Sequence, residues 1–287
     1  MVELNISQNF LNNIALLREI LDKSNIGKSD VVLDIGAGTG VIAKEVSKIA
    51  KRVYAIEYDK ELEQVLRANL DRVENVQIVM ADFLKYTLPE NSPYKVFSNI
   101  PFSITSDIIN KLIFAKNPPE DSFLFVQKEA AMRYLGIGEG TMLSLLILPF
   151  FDAEVIYEFS KNDFTPRPSV DIVLLRLTKR THPLVKSENI EEYRNFIVYA
   201  LWQQKTSLKL RLGKIFTYAQ FHRLSKDQHF DIDAKSTDLT PDQWANVFKY
   251  YLIGVENDKK EIVNEVGEDY FRTKHKTHGP SRTKIRK

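Results

Sequence analysis

Residues 34–40 read Asp-Ile-Gly-Ala-Gly-Thr-Gly, directly after a short apolar run and directly before a helical pattern. Glycines at such a junction let the backbone turn tightly and approach a ligand, and the first turn of the following helix offers unpaired N–H groups. Gly38 to Ala43 also fits the dinucleotide pattern G-x-G-x-x-A, and Glu57, 23 residues after Asp34, is placed to hold ribose hydroxyls. These features suit a nicotinamide enzyme and a methyltransferase equally.

Asn99-Ile100-Pro101-Phe102, at the end of a later strand pattern, separates the two. An asparagine, a proline and an aromatic ring at a strand terminus bring an amide oxygen, backbone carbonyls and a stacking face beside the cofactor. That set suits a planar amine. The exocyclic N6 of adenine is a poor nucleophile because its lone pair is delocalised into the ring; acceptors on its two hydrogens favour a pyramidal nitrogen whose lone pair points outward. Phe102 is placed to stack on the base. The matching electrophile is the sulfonium methyl of S-adenosylmethionine, already activated by its own charge, so catalysis reduces to aligning nitrogen, carbon and sulfur.

Composition agrees with chemistry of that kind. The 287 residues include no cysteine, which excludes disulfides, thiolate metal sites and cysteine nucleophiles. The five histidines are His182, His222, His229, His275 and His278, so whatever the first 181 residues do proceeds without imidazole. The longest apolar run, Met142 to Phe151, is interrupted by Ser144 and Pro149 and is roughly half the length of a membrane span. The N-terminus lacks the basic start and apolar stretch of a signal peptide. The expectation is a cytoplasmic monomer that binds no metal and meets no membrane. Residues 1–178 carry 19 basic against 24 acidic side chains, a net −5, and residues 179–287 carry 21 against 14, a net +7. The basic half is expected to help hold a polyanion.

The elements that must position these residues follow from hydrophobic pattern. Val31–Ile35, Val53–Glu57, Val76–Asp82, Lys95–Ile100 and Phe123–Gln127 read as buried strands, with helices predicted near residues 14–21, 41–49, 62–70 and 104–114. Alternating strands and helices imply crossover units and a mostly parallel, doubly wound α/β sheet of Rossmann-like type. Val155–Phe159 and Asp171–Thr178, flanking the proline-punctuated Thr165–Ser169, are predicted to pair antiparallel at the sheet edge. Residues 188–253 are helical in pattern, and Thr240 precedes Pro241 as a helix cap would. The predicted division is a catalytic domain over 1–178, a small all-helical RNA-binding domain over 179–254, and a basic tail over 255–287, expected to be disordered because Arg272, Lys274, Lys276, Arg282, Lys284, Arg286 and Lys287 meet no acidic residue.

Taken together, Ser7–Leu11 (SQNFL), the glycine turn, Glu57, Asp82 and NIPF resemble the ribosomal RNA adenine N6-methyltransferases, and within them the erythromycin-resistance type that modifies 23S rRNA. Glu139–Asp152, Phe164–Asp171 (FTPRPSVD) and Leu239–Trp244 (LTPDQW) follow in the expected order, so the resemblance runs from about Ser7 to Leu252. It implies that Asn9 and Leu11 border the methionine end of S-adenosylmethionine, that Gly36 and Gly38 line the turn, that Glu57 binds the ribose and Asp82 the adenine amine of the cofactor, and that Asn99 lies between cofactor and target. It also implies that Phe102 and Phe164 sandwich a flipped base, with Ile100 and Pro101 completing the catalytic loop. The implied partner is rRNA, 23S ahead of 16S; the housekeeping 16S relative usually reads N-L-P-Y where this chain reads NIPF.

Several residues keep a second reading. Asp82 also suits a helix cap, Phe164 a lid on the core, and Gly136, Gly138 and Gly140 either a mobile loop over RNA or a plain turn. Lys205, Lys209, Arg211 and Lys214 read as a phosphate patch or as a solvated helix face. A different class of protein, a non-catalytic RNA-binding factor on the same fold, would not need Asp34, Glu57, Asp82 and Asn99 together.

Overall fold

The structure is a computed structural model and describes residues 10–137, 141–203 and 205–277. These form two compact units, one within 1–135 and 151–181, the other within 136–150 and 182–287.

In the first unit, β1 (Phe10–Leu11) and α1 (Ile14–Lys23) precede the alternation β2 (Val31–Ile35), α2 (Val41–Ser47), β3 (Arg52–Glu57), α3 (Glu63–Leu70), β4 (Val76–Met80), β5 (Lys95–Asn99), α4 (Thr105–Ile113), β6 (Asp121–Gln127) and α5 (Lys128–Leu135). The second unit contributes α6 (Met142–Ile147), after which the chain re-enters the first through β7 (Phe151–Glu158), β8 (Phe164–Thr165) and β9 (Ile172–Lys179). The seven-stranded sheet has the order β4-β3-β2-β5-β6-β9-β7; the first five strands are parallel, and β9 and β7 run antiparallel at one edge, as the pattern of residues 155–178 predicted. The central strands β2, β5 and β6 are almost wholly buried, which is why they read as unbroken apolar runs, whereas edge strand β7 alternates.

Helix α1 starts where the Asn13 side chain accepts the Leu16 N–H (3.1 Å) and buries Leu16, Leu17, Ile20 and Leu21. Residues 10 and 11, for which the hydrophobic pattern predicts no element, form β1, a two-residue strand antiparallel to β8, with Phe10 opposite Thr165 and Leu11 opposite Phe164. A pairing partner more than 150 residues away leaves no local signal.

The second unit contains α6, α7 (Ile190–Trp202), α8 (Leu208–Leu212), α9 (Tyr218–Asp227), α10 (Pro241–Gly254) and α11 (Asn257–Thr277). Phe196 of α7 packs against Trp244, Phe248 and Tyr251 of α10, all buried, and α10 is capped by Thr240 as predicted. The Tyr193 hydroxyl donates to the Leu145 carbonyl (2.9 Å), tying α6 to α7. Residues 136–150 therefore group with the helices and not with the catalytic domain to which the sequence division assigned them.

A second correction concerns the tail. Residues 257–277 form a helix where disorder was expected. Val263 is buried, Gly267 lies against Asn195, the Arg194 guanidinium sits 4.2 Å from the Phe271 ring centre, and Tyr270 meets Trp202 edge-on at 4.9 Å. Residues 263, 267, 270 and 271 recur at helical spacing, a signal hidden by the charge around them. Residues 278–287 lie outside the described residues, as do Gly138 and Gly140. Among the described residues no helix is long and apolar enough to cross a membrane, and no cluster of three metal-ligating side chains occurs.

Candidate active site

In an open sheet of this order the ligand crevice lies beyond the carboxyl ends of the strands, where β2 and β5 lead in opposite directions. The expected residues gather there. Gly36 follows β2, Glu57 ends β3, Asp82 follows β4, Asn99 ends β5, and all four line one cleft of about 760 Å³ with Ile100, Pro101 and Phe102. Its size falls within the roughly 300–1,000 Å³ range of small-molecule sites.

The glycine turn is shaped by its neighbours as much as by its own freedom. Gly36 has φ +72°, and its N–H and that of Ala37 both donate to the Ile56 carbonyl (2.8 and 3.1 Å). A Cβ on Gly36 would stand 3.2 Å from Pro101 Cδ, so the turn and the NIPF loop touch. Gly38 has φ +57°, and a Cβ there would meet Phe10 Cε1 at 2.7 Å. Gly40 faces Leu66 and Leu70 and answers to packing on α3.

Glu57 is nearly buried, yet its carboxylate is well satisfied. Oε2 accepts the Gly38 N–H (2.7 Å), while Oε1 accepts the N–H groups of Tyr58 (2.8 Å) and Asp59 (2.7 Å). With one bond on Oε2, that oxygen retains a lone pair for a further donor. Asp82 acts as the cap of the turn that follows it, and it also lines the cleft. Its Oδ1 accepts the Leu84 N–H (2.9 Å) and caps the short helical turn of residues 83–85, while Oδ2 lies 3.8 Å from Lys85 Nζ. Lys111 of α4 holds that turn by donating to the carbonyls of Leu84 (2.9 Å) and Tyr86 (2.5 Å), and burial lowers its pKa.

Asn99 closes β5 opposite Phe125, and the chain then turns through Pro101 into a short helical turn at Phe102–Ile104 that leads into α4. The Pro101 carbonyl accepts the Ile104 N–H (3.2 Å) and the Phe102 carbonyl accepts from the Thr105 hydroxyl (3.2 Å), so those two carbonyls hold the loop itself. Phe102 is half-buried with its ring on the cleft wall.

Electrostatics favour a cationic ligand. Glu57, Asp59, Glu61 and Asp82 line the cleft against the single lysine Lys60. A sulfonium with an ammonium group fits that surface; the diphosphate of a nicotinamide dinucleotide does not. Beneath the glycine turn, burial together with the nearby Glu57 charge pushes the fully buried Asp34 carboxyl up to about 8. Ala43 N–H and Ser98 lie close enough to oppose that rise, but neither Asp34 oxygen has a partner at hydrogen-bonding geometry.

Three expected residues lie elsewhere. Phe164 is 2% exposed and packs edge-on against Phe159 at 5.5 Å, within the aromatic core around Phe125; its ring is a lid on the core and does not reach the cleft. Leu11, its partner in the β1–β8 pair, is buried in the same core. Gly38 does not line the cleft wall; it meets the cleft through Glu57 and Phe10. Asn9 lies outside the described residues. Among the cleft residues missed by sequence reasoning are Asp59, Glu61 and Phe10. Successive strand residues face opposite sides, so a strand that sends Leu11 to the core sends Phe10 to the cleft.

The basic cluster of the second unit is largely consumed by its own fold. Arg211 Nη1 donates to the carbonyls of Ala200 and Leu201, closing the end of α7; Lys205 Nζ donates to the Leu210 carbonyl (2.9 Å); and Lys209 pairs with Asp233 (2.7 Å). Read as a phosphate patch, the cluster loses most of its members.

Residues 3–252 match the family described as ribosomal RNA adenine dimethylase. An rRNA adenine N-6-methyltransferase from Bacteroides fragilis is 34% identical over 245 residues, spanning 84% of this chain and 90% of its own. A ribosomal RNA small subunit methyltransferase A from Geobacillus thermodenitrificans is 32% identical over 215 residues, spanning 71% and 73%. Among solved structures, that of the 23S rRNA methyltransferase ErmE shares the fold with a TM-score of 0.74 at 24% identity, covering 85% of this chain and 99% of that one.

Proposed function

Because the chain belongs to the ribosomal RNA adenine dimethylase family, we propose that it methylates N6 of an adenine in 23S rRNA, at the peptidyl transferase region, with S-adenosylmethionine as donor. The product is mono- or dimethyladenine, and the consequence is resistance to macrolides, lincosamides and streptogramin B, whose ribosomal site a methylated N6 obstructs. The observation that carries this reading is the meeting of the glycine turn and the Asn99 loop, Gly36 against Pro101, at the edge of an acid-lined cleft.

The cofactor supplies an electrophilic methyl group when bound. Glu57 and Asp82 offer acceptors for its ribose and adenine, and the carboxylates around them favour its positive charge. Asn99 accepts from the target amine and orients its lone pair, while Phe102 stacks on a base swung out of the RNA. With the donor bound, the amine would displace sulfur at the methyl carbon, and the surplus proton would leave to solvent. None of these steps asks for an imidazole, consistent with its absence before His182.

Support for 23S over 16S comes from the NIPF loop, where the 16S relatives usually carry N-L-P-Y. The 16S reading is favoured by the likeness to the small-subunit enzyme. Incubation with labelled S-adenosylmethionine and protein-free 23S or 16S rRNA separates them. Label in 23S supports the proposal, label in 16S alone supports the housekeeping activity, and label in neither supports a non-catalytic RNA-binding factor.

A further inference from the structure

The parallel sheet is not zipped to its end at the place where the site residues meet. β2 pairs with β3 as far as Ile35 opposite Ile56, and β5 pairs with β6 as far as Asn99 opposite Phe125. Between β2 and β5, however, pairing stops at Leu33 opposite Val96. The last two residues of β2 and the last three of β5 lie beyond it, outside any ladder with each other. Backbone groups left out of the ladder must find other partners, because buried N–H and C=O groups are almost always paired.

One side chain supplies two of them. The Ser98 hydroxyl oxygen accepts the Ile35 N–H at 2.7 Å and donates to the Leu33 carbonyl at 3.3 Å, and Ser98 is wholly buried. A side chain thus stands where main chain would meet main chain in a continued ladder. Immediately beyond it lie Gly36, whose N–H has turned to Ile56, and Asn99, whose carbonyl is 4.0 Å from the position of a Gly36 Cβ.

We propose that Ser98 is a positioning residue for methyl transfer: its hydroxyl sets the separation of β2 and β5 at their carboxyl ends, and so the distance between the cofactor turn at Gly36 and the target-binding Asn99. Ser98 touches neither ligand. Its effect falls on the relation between the two halves of the site, so its loss misaligns donor and acceptor in the ternary complex more than it weakens cofactor binding alone. The proposal rests on the reading of Asn99 as the residue that meets the target amine.

The test compares Ser98→Ala, Ser98→Cys and Ser98→Thr with the wild-type full chain, measuring cofactor Kd by calorimetry and single-turnover methyl transfer to rRNA per folded molecule. Ser98→Ala is expected to lower the transfer rate at least tenfold while Kd changes less than threefold. Ser98→Cys keeps the volume but weakens the hydrogen bonds, so it gives an intermediate loss even if the alanine protein fails to fold. Ser98→Thr, which retains the hydroxyl, recovers most of the rate if the added methyl is accommodated, as its melting temperature reports. In an Asn99→Ala background the Ser98→Cys change is expected to have little further effect. Full additivity in that cycle, an unaltered rate in Ser98→Cys, or equal losses in rate and Kd overturns the positioning role. If Asn99→Ala alone leaves transfer intact, the reading of Asn99 fails instead, whatever Ser98 does.

Discussion

Glu57 Oε2 accepts the Gly38 N–H at 2.7 Å, so the end of β3 holds the glycine turn after β2 before any ligand arrives. The carboxylate expected to bind a ribose is also a structural clasp, joined to the backbone of Tyr58 and Asp59 through its other oxygen. Glu57→Gln replaces one accepting oxygen with a donor that faces N–H groups. The ligand-free variant should lose about 1–3 kcal/mol of stability, and its cofactor affinity should fall at least tenfold. Thermal melts of the ligand-free protein check this; an unchanged melting temperature would leave only the ribose role.

Asn99→Ala should reduce methyl transfer by roughly two to three orders of magnitude, the usual effect of removing one preorganised polar group beside a reacting centre, with cofactor Kd altered far less. Rate and calorimetric affinity measured on one preparation decide it. Equal losses would move Asn99 away from the target amine.

Phe164 and Phe102 should separate cleanly. Phe164→Ala opens a cavity beside Phe159 and should cost about 3–5 kcal/mol of stability, with activity lost through unfolding. Phe102→Ala, at a half-buried ring on the cleft, should leave the melting temperature nearly unchanged and weaken the RNA-dependent step by about 1–3 kcal/mol, the range for base stacking on an aromatic side chain. Denaturant unfolding and methyl-transfer kinetics of both variants test the division; a fully stable but inactive Phe164→Ala protein would return that ring to the base.

The strands and the site at their ends were readable because both rest on local pattern. Buried parallel strands are continuous apolar runs; Glu57, Asp82 and Asn99 each stand at or just past the end of one, and Asp34 one residue short of the end of β2. What could not be read depends on distant partners. Phe10 acquires its place on the cleft from pairing with a strand that begins at Phe164, and Lys205, Lys209 and Arg211 lose their availability to Leu210, Asp233 and the end of α7. Helix α11 was obscured for a different reason: its apolar residues are few, and burial depends on Gly267 allowing close approach to Asn195.

Asp34 should give the protein a recognisable pH dependence. Its carboxyl is pushed from 3.8 to about 8 in the folded state, so between those values the folded protein binds a proton that the unfolded chain does not. That contribution to stability is fully present below the unfolded value and is lost as pH rises through the folded one. Asp34→Asn lacks this titration, so its melting temperature should gain on that of the wild type steadily from about pH 5 to about pH 8 and level off above. Parallel melting curves for the two proteins across that range would remove the buried neutral carboxyl from the description.

The most direct measurement is the mapped identity of the methylated nucleotide, obtained by mass spectrometry of rRNA fragments after reaction with the purified protein and S-adenosylmethionine. The expected product is N6-methyl- or N6,N6-dimethyladenosine at one adenine of the peptidyl transferase region of 23S rRNA. A methyl group on another atom or base, or on 16S rRNA alone, would contradict the assignment.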